Sequence, residues 1–409
     1  MEENNKKGKS IFSILFLICL FSFAAFNIIC RGPELMKELR KVKPDFHEPK
    51  QAIAVIEREM SEKLFFRYPL IEGYGALQLI MGKKEENAFS NIKGKDGMLY
   101  DASFWNGFGD DQKELAVRTR RLHDLLEEEG TEMGVVLFPM KLPEEQERYY
   151  GLPYNDFSKL AGDFASWLRY YKVPVLDLRN ICKISGLTHQ EAFFKTDHHW
   201  TPIAAFSGYC NIINWMEQSF DVSLDPDYKL RDLGNYNQVT FPNYMLGSQG
   251  RETGVIFAGG AEDYTVIYPE YQGDYLLWRG DIEDYKEYTG GFEEALLKLD
   301  VNEDSLSGIY SGNGETVYLH KGVDNYVSIR NLENGSKKKI LLLRDSYATP
   351  VGAFLAQSFE QVDMLWTLQL SEEELMDFLT KNHYDYVLLA LYPENLKGAA
   401  FPFGMEETP

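Results

Sequence analysis

A long apolar run near the N-terminus is the most pronounced feature of the hydrophobic pattern. Residues 11–29 contain no charged side chain, and the first nine residues include three lysines. A helix of about 20 apolar residues is needed to cross the ~30 Å hydrocarbon core of a bilayer. Lysines before the run favour a cytoplasmic N-terminus. We therefore predict a cytoplasmic tail over 1–10, a transmembrane helix over 11–30 and an extracytoplasmic body.

The alternative interpretation is a cleaved signal peptide, which also begins with a basic head and an apolar stretch. The run ends in Phe26-Asn27-Ile28-Ile29-Cys30, without the small residues that a signal peptidase requires. The two isoleucines are also too bulky for lipoprotein processing at the cysteine. We therefore expect the helix to be retained as a single-pass anchor in the cell membrane.

Amphipathic helical segments alternate with short apolar runs in two parts of the remaining chain. The helical spacing is carried first by Leu115, Leu122 and Leu126, and the short predicted strands, which are mostly apolar, are 135–138, 173–178, 340–343, 362–365 and 386–391. Alternating helices and buried strands predict a parallel sheet with helices packed on it. We therefore assign 91–219 and 340–400 to one three-layer α/β domain.

Two segments break this alternation. Residues 31–90 form helical segments interrupted by prolines, which is typical of a helical stalk leading to the main fold. Residues 220–339 are rich in Gly, Asp, Asn and Tyr, with the turn pair Asn334-Gly335 between β-rich stretches. We interpret this second segment as a β-rich, mostly antiparallel insertion over the sheet.

The charge of the chain argues against one class of partner, and its cysteine content leaves the question of a disulfide open. The formal net charge is −21 over 409 residues. Such an acidic chain repels the phosphate backbone, so we expect no nucleic-acid partner. Of four cysteines, Cys182 and Cys210 fall in the exported part. Either a disulfide or two buried thiols are compatible with that compartment.

Two loops combine reactive side chains with the start of a helix. The run Asp197-His198-His199-Trp200 stands directly before Thr201-Pro202. Thr at the N-cap and Pro at the first helical position favour a helix start there. The apolar run 340–343 leads to Ser346, and Thr349-Pro350 opens the next helix. Because active sites form at the carboxyl ends of parallel strands, both loops are candidates for chemistry.

The residues of the two loops can supply a catalytic triad. A serine nucleophile needs a histidine base, and the base needs a carboxylate that fixes its tautomer. Ser346, His199 and Asp197 provide these roles, with His198 as the alternative base. The Ser346 amide is the first candidate donor of an oxyanion hole. Paired histidines and Asp-Ser pairs also occur as helix caps and surface clusters, so spacing alone leaves that alternative open.

Six motifs occur in an order that resembles the DHHW family. They are Gly94–Tyr100, Phe138–Lys141, Asp197–Trp200, Gly247–Arg251, Arg344–Tyr347 and Glu394–Leu396. The chain also resembles, more distantly, the SGNH-hydrolase-like proteins that O-acetylate bacterial exopolysaccharides such as alginate. In those relatives Asp-x-His precedes Ser, which implies Asp197 as orienter, His199 as base and Ser346 as nucleophile. This chain has Arg344 where the wider superfamily has Gly, and Asn395 is one candidate for the missing oxyanion donor.

The resemblance implies an SGNH-like fold and a membrane-anchored, extracytoplasmic serine acyltransferase or esterase. The acceptor would be a cell-wall polysaccharide or exopolysaccharide, and a multi-pass membrane acyltransferase would supply acetyl groups. The predicted reaction needs no cofactor and no metal.

Two other functions remain open. A non-catalytic carbohydrate-binding or assembly protein is compatible with the same scaffold, because a fold does not fix a function. A metallohydrolase using Asp197, His198 and His199 is disfavoured, because adjacent residues rarely point at one metal ion.

Overall fold

A computed structural model describes most of the chain. The described residues are 2–41, 53, 55–57, 63–86, 90–101, 110–142, 157–281, 284–299, 306–310, 312, 314, 317–321 and 324–404. The chain divides into two compact units, 1–74 and 75–409.

The first unit contains one long helix, α1 (Glu2–Lys41). Within this helix, Ser13–Arg40 is long and apolar enough to span a membrane. Its large apolar side chains lie on the outside, with Ile18 55% and Phe21 67% exposed. Apolar surface of this extent is unfavourable in water and favourable in lipid. The helix therefore has the properties of a single-pass anchor or of a signal sequence.

The second unit contains the strands and most of the remaining helices. The strands are β1 (Glu85–Glu86), β2 (Asn91–Lys93), β3 (Leu99–Asp101), β4 (Glu132–Leu137), β5 (Val175–Asp177), β6 (Tyr236–Met245), β7 (Glu262–Pro269), β8 (Tyr275–Gly280), β9 (Tyr285–Gly290), β10 (Tyr326–Asn331), β11 (Lys339–Arg344), β12 (Gln361–Trp366) and β13 (Tyr386–Leu391). The helices after α1 are α2 (Arg67–Ile80), α3 (Gln112–Glu128), α4 (Phe157–Tyr170), α5 (Ile181–Ser185), α6 (His189–Ala192), α7 (Pro202–Ser219), α8 (Ser248–Thr253), α9 (Val255–Ala258), α10 (Phe292–Leu296), α11 (Leu306–Ile309), α12 (Ala348–Leu355) and α13 (Glu372–Lys381).

An eight-stranded sheet forms the centre of this unit. Its spatial order is β5-β4-β13-β11-β12-β10-β8-β9. The first five strands are parallel, and the last three pair antiparallel. Strand β11 lies in the middle, between two parallel neighbours. Its carboxyl end therefore lies at the centre of the edge where active sites form in parallel sheets.

Two hydrophobic cores lie on opposite faces of the sheet. Because side chains alternate along a strand, Leu342 of β11 packs in one core and Leu341 in the other. Helices α7 and α12 supply the first core, and helices α3, α4 and α13 supply the second. The prediction of a three-layer α/β fold with a preceding apolar helix is confirmed.

The segment 220–339 contributes strands to the main sheet. Strands β8, β9 and β10 extend the sheet beyond β12, while β6 and β7 form a separate antiparallel ribbon. The sequence predicts an antiparallel region lying over the sheet, and part of it is instead inside the sheet. The prediction differs from the structure because alternating apolar positions identify a strand but do not specify the strand with which it pairs. The predicted domain boundaries at 220 and 340 stay a prediction.

The two cysteines of the second unit are separate thiols. Cys182 lies in α5 and Cys210 in α7, and both are half-buried and free. Burial raises the pKa of Cys182, and it raises the pKa of Cys210 to about 12. Both thiols are therefore protonated at neutral pH and poorly nucleophilic.

Candidate active site

A short loop between α6 and α7 holds the Asp-His-His-Trp run. An antiparallel bridge joins Phe193 and Trp200, and the Phe194 N–H donates to the His199 carbonyl. The Thr201 side chain caps α7, with Pro202 at the first helical position as the sequence predicts. The Phe193–Trp200 bridge and the Thr201 cap therefore fix the two ends of the loop.

The second loop joins β11 to α12 and carries Ser346. Ser346 lies two residues after the end of β11, and α12 begins at Ala348. The carboxylate of Asp345 is buried and accepts hydrogen bonds from Tyr347 N (3.0 Å), Tyr392 N (2.5 Å) and Asn395 Nδ2 (2.9 Å). Asp345 therefore anchors the serine turn to the loop after β13.

The two loops meet at His199. His199 Nε2 lies 2.7 Å from Ser346 Oγ, and His199 Nδ1 lies 2.5 Å from Asp197 Oδ1. An ionised Asp197 can only accept, so Nδ1 carries the proton and Nε2 of the neutral ring accepts from the serine hydroxyl. The three side chains predicted from the sequence thus form one hydrogen-bonded chain. Their catalytic roles remain a prediction.

Asp197 is fully buried and has its hydrogen-bonding capacity filled. Besides the His199 ring, Oδ1 accepts from the His199 N–H at 2.9 Å, and Oδ2 accepts from Ser248 N at 2.7 Å and Ser248 Oγ at 3.0 Å. Burial by itself raises the pKa of Asp197, but electrostatic interaction with His199 and His198 and these hydrogen bonds hold it well below its usual value. Asp197 is therefore ionised at neutral pH.

His198 occupies a different position from His199. The two rings lie 3.9 Å apart, and His198 Nδ1 lies 3.3 Å from Ser248 Oγ. Of the pair, His199 is the one hydrogen-bonded to Ser346. Burial and the neighbouring His199 lower the pKa of His198 to about 4, so its ring is neutral at pH 7. This geometry favours His199 over His198 as the base.

A buried lysine donates hydrogen bonds to the backbone of the loop that carries Asp197. Lys141 Nζ donates to the carbonyls of Asp197 (2.7 Å), Lys195 (3.2 Å) and Leu99, and to Gln249 Oε1 (3.2 Å). Burial lowers the pKa of Lys141 to about 8, while Asp197 and other carboxylates act in the opposite direction. Lys141 therefore joins the Asp197 loop to β3 and α8.

Sequence reasoning assigned no role to Ser248 or Lys141. Both lie in runs that resemble the DHHW family, Gly247–Arg251 and Phe138–Lys141. The resemblance to the DHHW family could therefore have identified Ser248 and Lys141 as candidate site residues. Spacing gave no signal, because each residue is more than 50 positions from Asp197 along the chain.

The donor atoms of Asp197, His198 and His199 lie within 4.8 Å of one another, which is close enough to hold a metal ion. Both oxygens of Asp197 already accept protein hydrogen bonds, and His199 Nε2 faces the serine hydroxyl. A metal ion would have to displace these donors. The donor set therefore fits a proton-transfer chain better than a metal centre.

A mostly apolar cavity of about 100 Å³ opens beside Ser346 and His199. The side chains that surround it include Phe194, Trp200, Met245, Tyr264, Tyr318 and Pro350. Ser346 and His199 lie on its wall. A substrate in contact with Ser346 therefore places its nearest atoms against aromatic and aliphatic surface.

Comparison with known proteins agrees with this fold. Residues 92–234 match the family model of the SGNH hydrolase-like domain of the acetyltransferase AlgX. A search of curated proteins by sequence found no match.

Solved structures of similar fold extend over most of the chain. Bacillus cereus PatB1 with a sulfonyl adduct is 20% identical, covers 78% of this chain and 99% of its own, and has a TM-score of 0.58. A DHHW family protein from Eubacterium siraeum is 15% identical, covers 76% of this chain and 93% of its own, and has a TM-score of 0.53. At these identities the likeness shows the fold. The predicted resemblance is confirmed: residues 92–234 match the SGNH hydrolase-like domain of the acetyltransferase AlgX, and a DHHW family protein is among the solved structures of similar fold.

Proposed function

We propose that this protein is a membrane-anchored, extracytoplasmic O-acyltransferase that acts through Ser346, His199 and Asp197. The observation that carries the proposal is the hydrogen-bonded chain, with His199 Nε2 2.7 Å from Ser346 Oγ and Nδ1 2.5 Å from Asp197 Oδ1. The match to an acetyltransferase domain supports acyl transfer as the reaction. The apolar helix Ser13–Arg40 supports attachment to a membrane.

In the first half-reaction, Ser346 Oγ attacks the carbonyl carbon of an acyl donor and His199 Nε2 takes the hydroxyl proton. The carbon–oxygen bond to the leaving alcohol breaks, and His199 returns the proton to that alcohol. Asp197 stays ionised and stabilises the imidazolium that forms between these two transfers. The Ser346 N–H, at the turn before α12, is the first candidate donor to the oxyanion.

In the second half-reaction, an acceptor hydroxyl attacks the acyl-enzyme. His199 takes the proton of that hydroxyl and gives it to Ser346 Oγ as the serine ester breaks. A sugar hydroxyl gives O-acylation of a polysaccharide, and water gives hydrolysis. The proposed acceptor is a cell-wall polysaccharide or exopolysaccharide, which emerges on the same side of the membrane as the proposed site.

The proposed acyl donor is a multi-pass membrane acyltransferase that carries acyl groups across the bilayer. A serine that receives acyl groups from a membrane partner must remain close to the bilayer. The N-terminal helix supplies that proximity if its lysine-rich end is cytoplasmic.

The direct test uses the full-length protein in detergent with p-nitrophenyl acetate and, separately, a sulfonyl fluoride. We expect ester turnover and a covalent adduct on Ser346, detected by intact mass and peptide mapping. Ser346→Ala should lower turnover at least about a thousandfold and abolish the adduct. Ser358→Ala is the matched control, because Ser358 is buried and contacts the Tyr209 hydroxyl instead of a histidine.

Two outcomes would contradict the proposal. Absence of turnover and adduct in the wild type would favour a non-catalytic carbohydrate-binding or assembly protein. Activity that is lost with a chelator and unaffected by Ser346→Ala would favour a metal site at Asp197, His198 and His199.

A further inference from the structure

A second cavity, of about 560 Å³, lies outside the candidate active site and is several times larger than the cavity beside Ser346. Almost all of its lining residues belong to the segment 220–339. Tyr236 and Pro269, paired at one end of the β6–β7 ribbon, line one side. Tyr275 and Asn331, paired where β8 begins and β10 ends, line another. The cavity therefore lies between the ribbon and the main sheet.

This cavity and Ser346 lie at opposite edges of the sheet. The Asn331 N–H donates to the Glu360 carbonyl directly before β12, at the edge where β11 also begins. Ser346 follows the other end of β11, and a strand of that length spans about 20 Å. A single sugar or nucleotide bound in this cavity therefore does not contact Ser346.

Side-chain amides line the cavity, namely those of Asn235, Asn331, Asn334 and Gln357. Asn331 Nδ2 donates to the Ala356 carbonyl at 2.9 Å, and Asn334 Nδ2 donates to the Gln357 carbonyl at 3.0 Å. These hydrogen bonds fix the orientation of both amides. Because an amide nitrogen carries two N–H groups, each of the two has a second donor without a partner among the described residues. Amides held in one orientation are suited to binding hydroxyl groups.

The hydroxyl of Tyr275 is an unpaired polar group on the cavity wall. Tyr275 is 3% exposed, and its hydroxyl has no hydrogen-bond partner among the residues that the structure describes. A Cβ at Gly273 would lie 3.4 Å from the hydroxyl oxygen, so the glycine leaves that side of the hydroxyl uncovered. Burial raises the pKa of Tyr275, so the hydroxyl is protonated at neutral pH and can both donate and accept. A buried hydroxyl without a partner is unfavourable, and a polar ligand in the cavity would supply that partner.

An exposed aromatic ring lies beside these polar groups. Tyr271 is 75% exposed, and its hydroxyl donates to Glu333 Oε2 at 2.6 Å, which holds the ring next to the cavity. A sugar has C–H groups on the faces of its ring and hydroxyls around the edge. It can therefore pack on an aromatic ring while its hydroxyls bind amides and carboxylates.

The charge of the lining favours an uncharged ligand. Glu270 and Glu333 both line the cavity. Lys229, the cationic residue of the lining, already pairs with Asp227 at 3.3 Å. A uronic acid or a phosphate would meet like charges here, whereas the hydroxyls of a neutral sugar would donate to the carboxylates.

We propose that this cavity is a saccharide-binding site, separate from Ser346, that holds an uncharged sugar unit of a polysaccharide. The Tyr275 hydroxyl and the fixed amides bind the sugar hydroxyls, and Tyr271 packs on the sugar ring. The inference does not depend on acyl transfer. In the proposed function, such a site would keep a polymer attached while Ser346 acts on another of its units.

The first test measures binding to the full-length protein by isothermal titration calorimetry, in a detergent whose headgroup is not a sugar. The neutral probes are cellotetraose, mannotetraose and chitotetraose, and the acidic probe is tetragalacturonate. We expect at least one neutral tetrasaccharide to bind. Tetragalacturonate should bind at least about tenfold more weakly at low ionic strength, because Glu270 and Glu333 repel its carboxylates.

Tyr275→Phe is the most specific variant, because it removes only the hydroxyl. We expect roughly fivefold weaker binding of the neutral tetrasaccharide, which is the usual effect of one lost hydrogen bond. The melting temperature should not fall, since that hydroxyl has no partner among the described residues. Tyr285→Phe is the matched control, because Tyr285 lies on β9 of the same sheet and does not line the cavity.

Tyr271 variants test the aromatic ring separately from its hydroxyl. Tyr271→Ala should weaken binding at least as much as Tyr275→Phe. Tyr271→Phe keeps the ring and should retain most of the affinity. Because Tyr271 is mostly exposed, neither change should unfold the protein.

Three results would overturn the inference. They are no binding of any neutral tetrasaccharide, tighter binding of tetragalacturonate than of the neutral probes, and equal affinities of Tyr275→Phe and the wild type. Equal affinities would place saccharide binding elsewhere on the protein. The assay needs no turnover, so a protein without Ser346-dependent activity can still pass it. Ser346-dependent turnover without saccharide binding would remove this inference and leave the proposed function intact.

Discussion

The carboxylate of Asp197 has four donors from only two residues. His199 supplies its ring and its backbone N–H, and Ser248 supplies its hydroxyl and its backbone N–H. A buried carboxylate without partners would be strongly destabilising, whereas one with its lone pairs filled is held in a single orientation. The orientation of His199 therefore depends on Ser248, although Ser248 does not line the cavity beside Ser346.

Ser248→Ala tests this positioning role. The change removes the donor at 3.0 Å and leaves the backbone donor at 2.7 Å. A hydrogen bond to a charged group contributes about 1.5–3 kcal/mol, so we expect kcat to fall about tenfold or more. KM for a short ester should change little, because Ser248 is not on the cavity wall. An unchanged kcat, equal to that of Ser358→Ala, would show that Ser248 has no such role.

His198 should make the stability of the protein depend on pH. Its pKa is about 4 in the folded protein, lowered by burial and by His199, against an ordinary value near 6.5. Between these values the unfolded chain binds more protons, so stability falls as the pH is lowered from 6.5 to 4. The loss is at most on the order of 3 kcal/mol, and partial exposure of the ring reduces it.

The His198→Gln variant measures this contribution. Chemical unfolding of both proteins at several pH values should show a shallower decline for the variant between pH 6.5 and 4. Above pH 7 the two curves should run parallel. Parallel curves over the whole range would contradict the lowered pKa of His198.

At the scale of elements, the site depends on a close approach between the Asp197 loop and the start of α8. A Cβ on Gly247 would lie 2.3 Å from Asp197 Cβ and 2.5 Å from the Thr196 carbonyl oxygen. Both distances are far inside van der Waals contact. Glycine is therefore required here by space, and its φ of −67° needs no special backbone freedom.

Gly247→Ala should separate the two elements. Overpacking costs about 1–3 kcal/mol, and a misplacement of about 1 Å at a catalytic group can cost a hundredfold in rate. We expect a lower melting temperature and at least about a tenfold lower kcat. Gly335→Ala is the matched control, because a Cβ there meets no atom within 4 Å. A Gly247→Ala protein as active as this control would contradict the argument.

The sequence predicted the elements better than their partners. The mostly apolar stretches at 340–343, 362–365 and 386–391 correspond to β11, β12 and β13, because a strand buried on both faces leaves a nearly continuous apolar signal. Thr201 and Pro202 marked the start of α7 by local chemistry. These signals lie within a few residues of the element that they define.

Long-range contacts left no comparable signal. The pairing of β10 with β12, the hydrogen bonds of Ser248 to Asp197 and the burial of Lys141 all join distant parts of the chain. No spacing rule relates such residues, and only the family resemblance pointed to two of the three. The contact between the Asp197-His199 loop and Ser346 was predictable because each loop carries reactive side chains next to a recognisable helix start.

At the scale of the whole molecule, a strongly acidic chain begins with an apolar helix. The net charge of −21 disfavours nucleic acid and the anionic inner surface of a membrane. The helix Ser13–Arg40 has the length and composition to cross a bilayer. Proposed acyl transfer from a membrane partner adds a functional requirement, since cleavage after this helix would release the site from its donor.

The transfer hypothesis therefore predicts that the helix is retained in the mature protein. Membranes from cells expressing the full chain should hold the protein through a carbonate wash, and its intact mass should include residues 1–31. Introducing arginines at Leu20 and Phe21 should release it, because each charge near the helix centre costs about 2.5–3.5 kcal/mol of insertion free energy. Arginine at Lys37, near the helix end, is the control and should change nothing. Recovery of a soluble form that begins after residue 30 would identify a signal peptide and would contradict acyl transfer from a membrane partner.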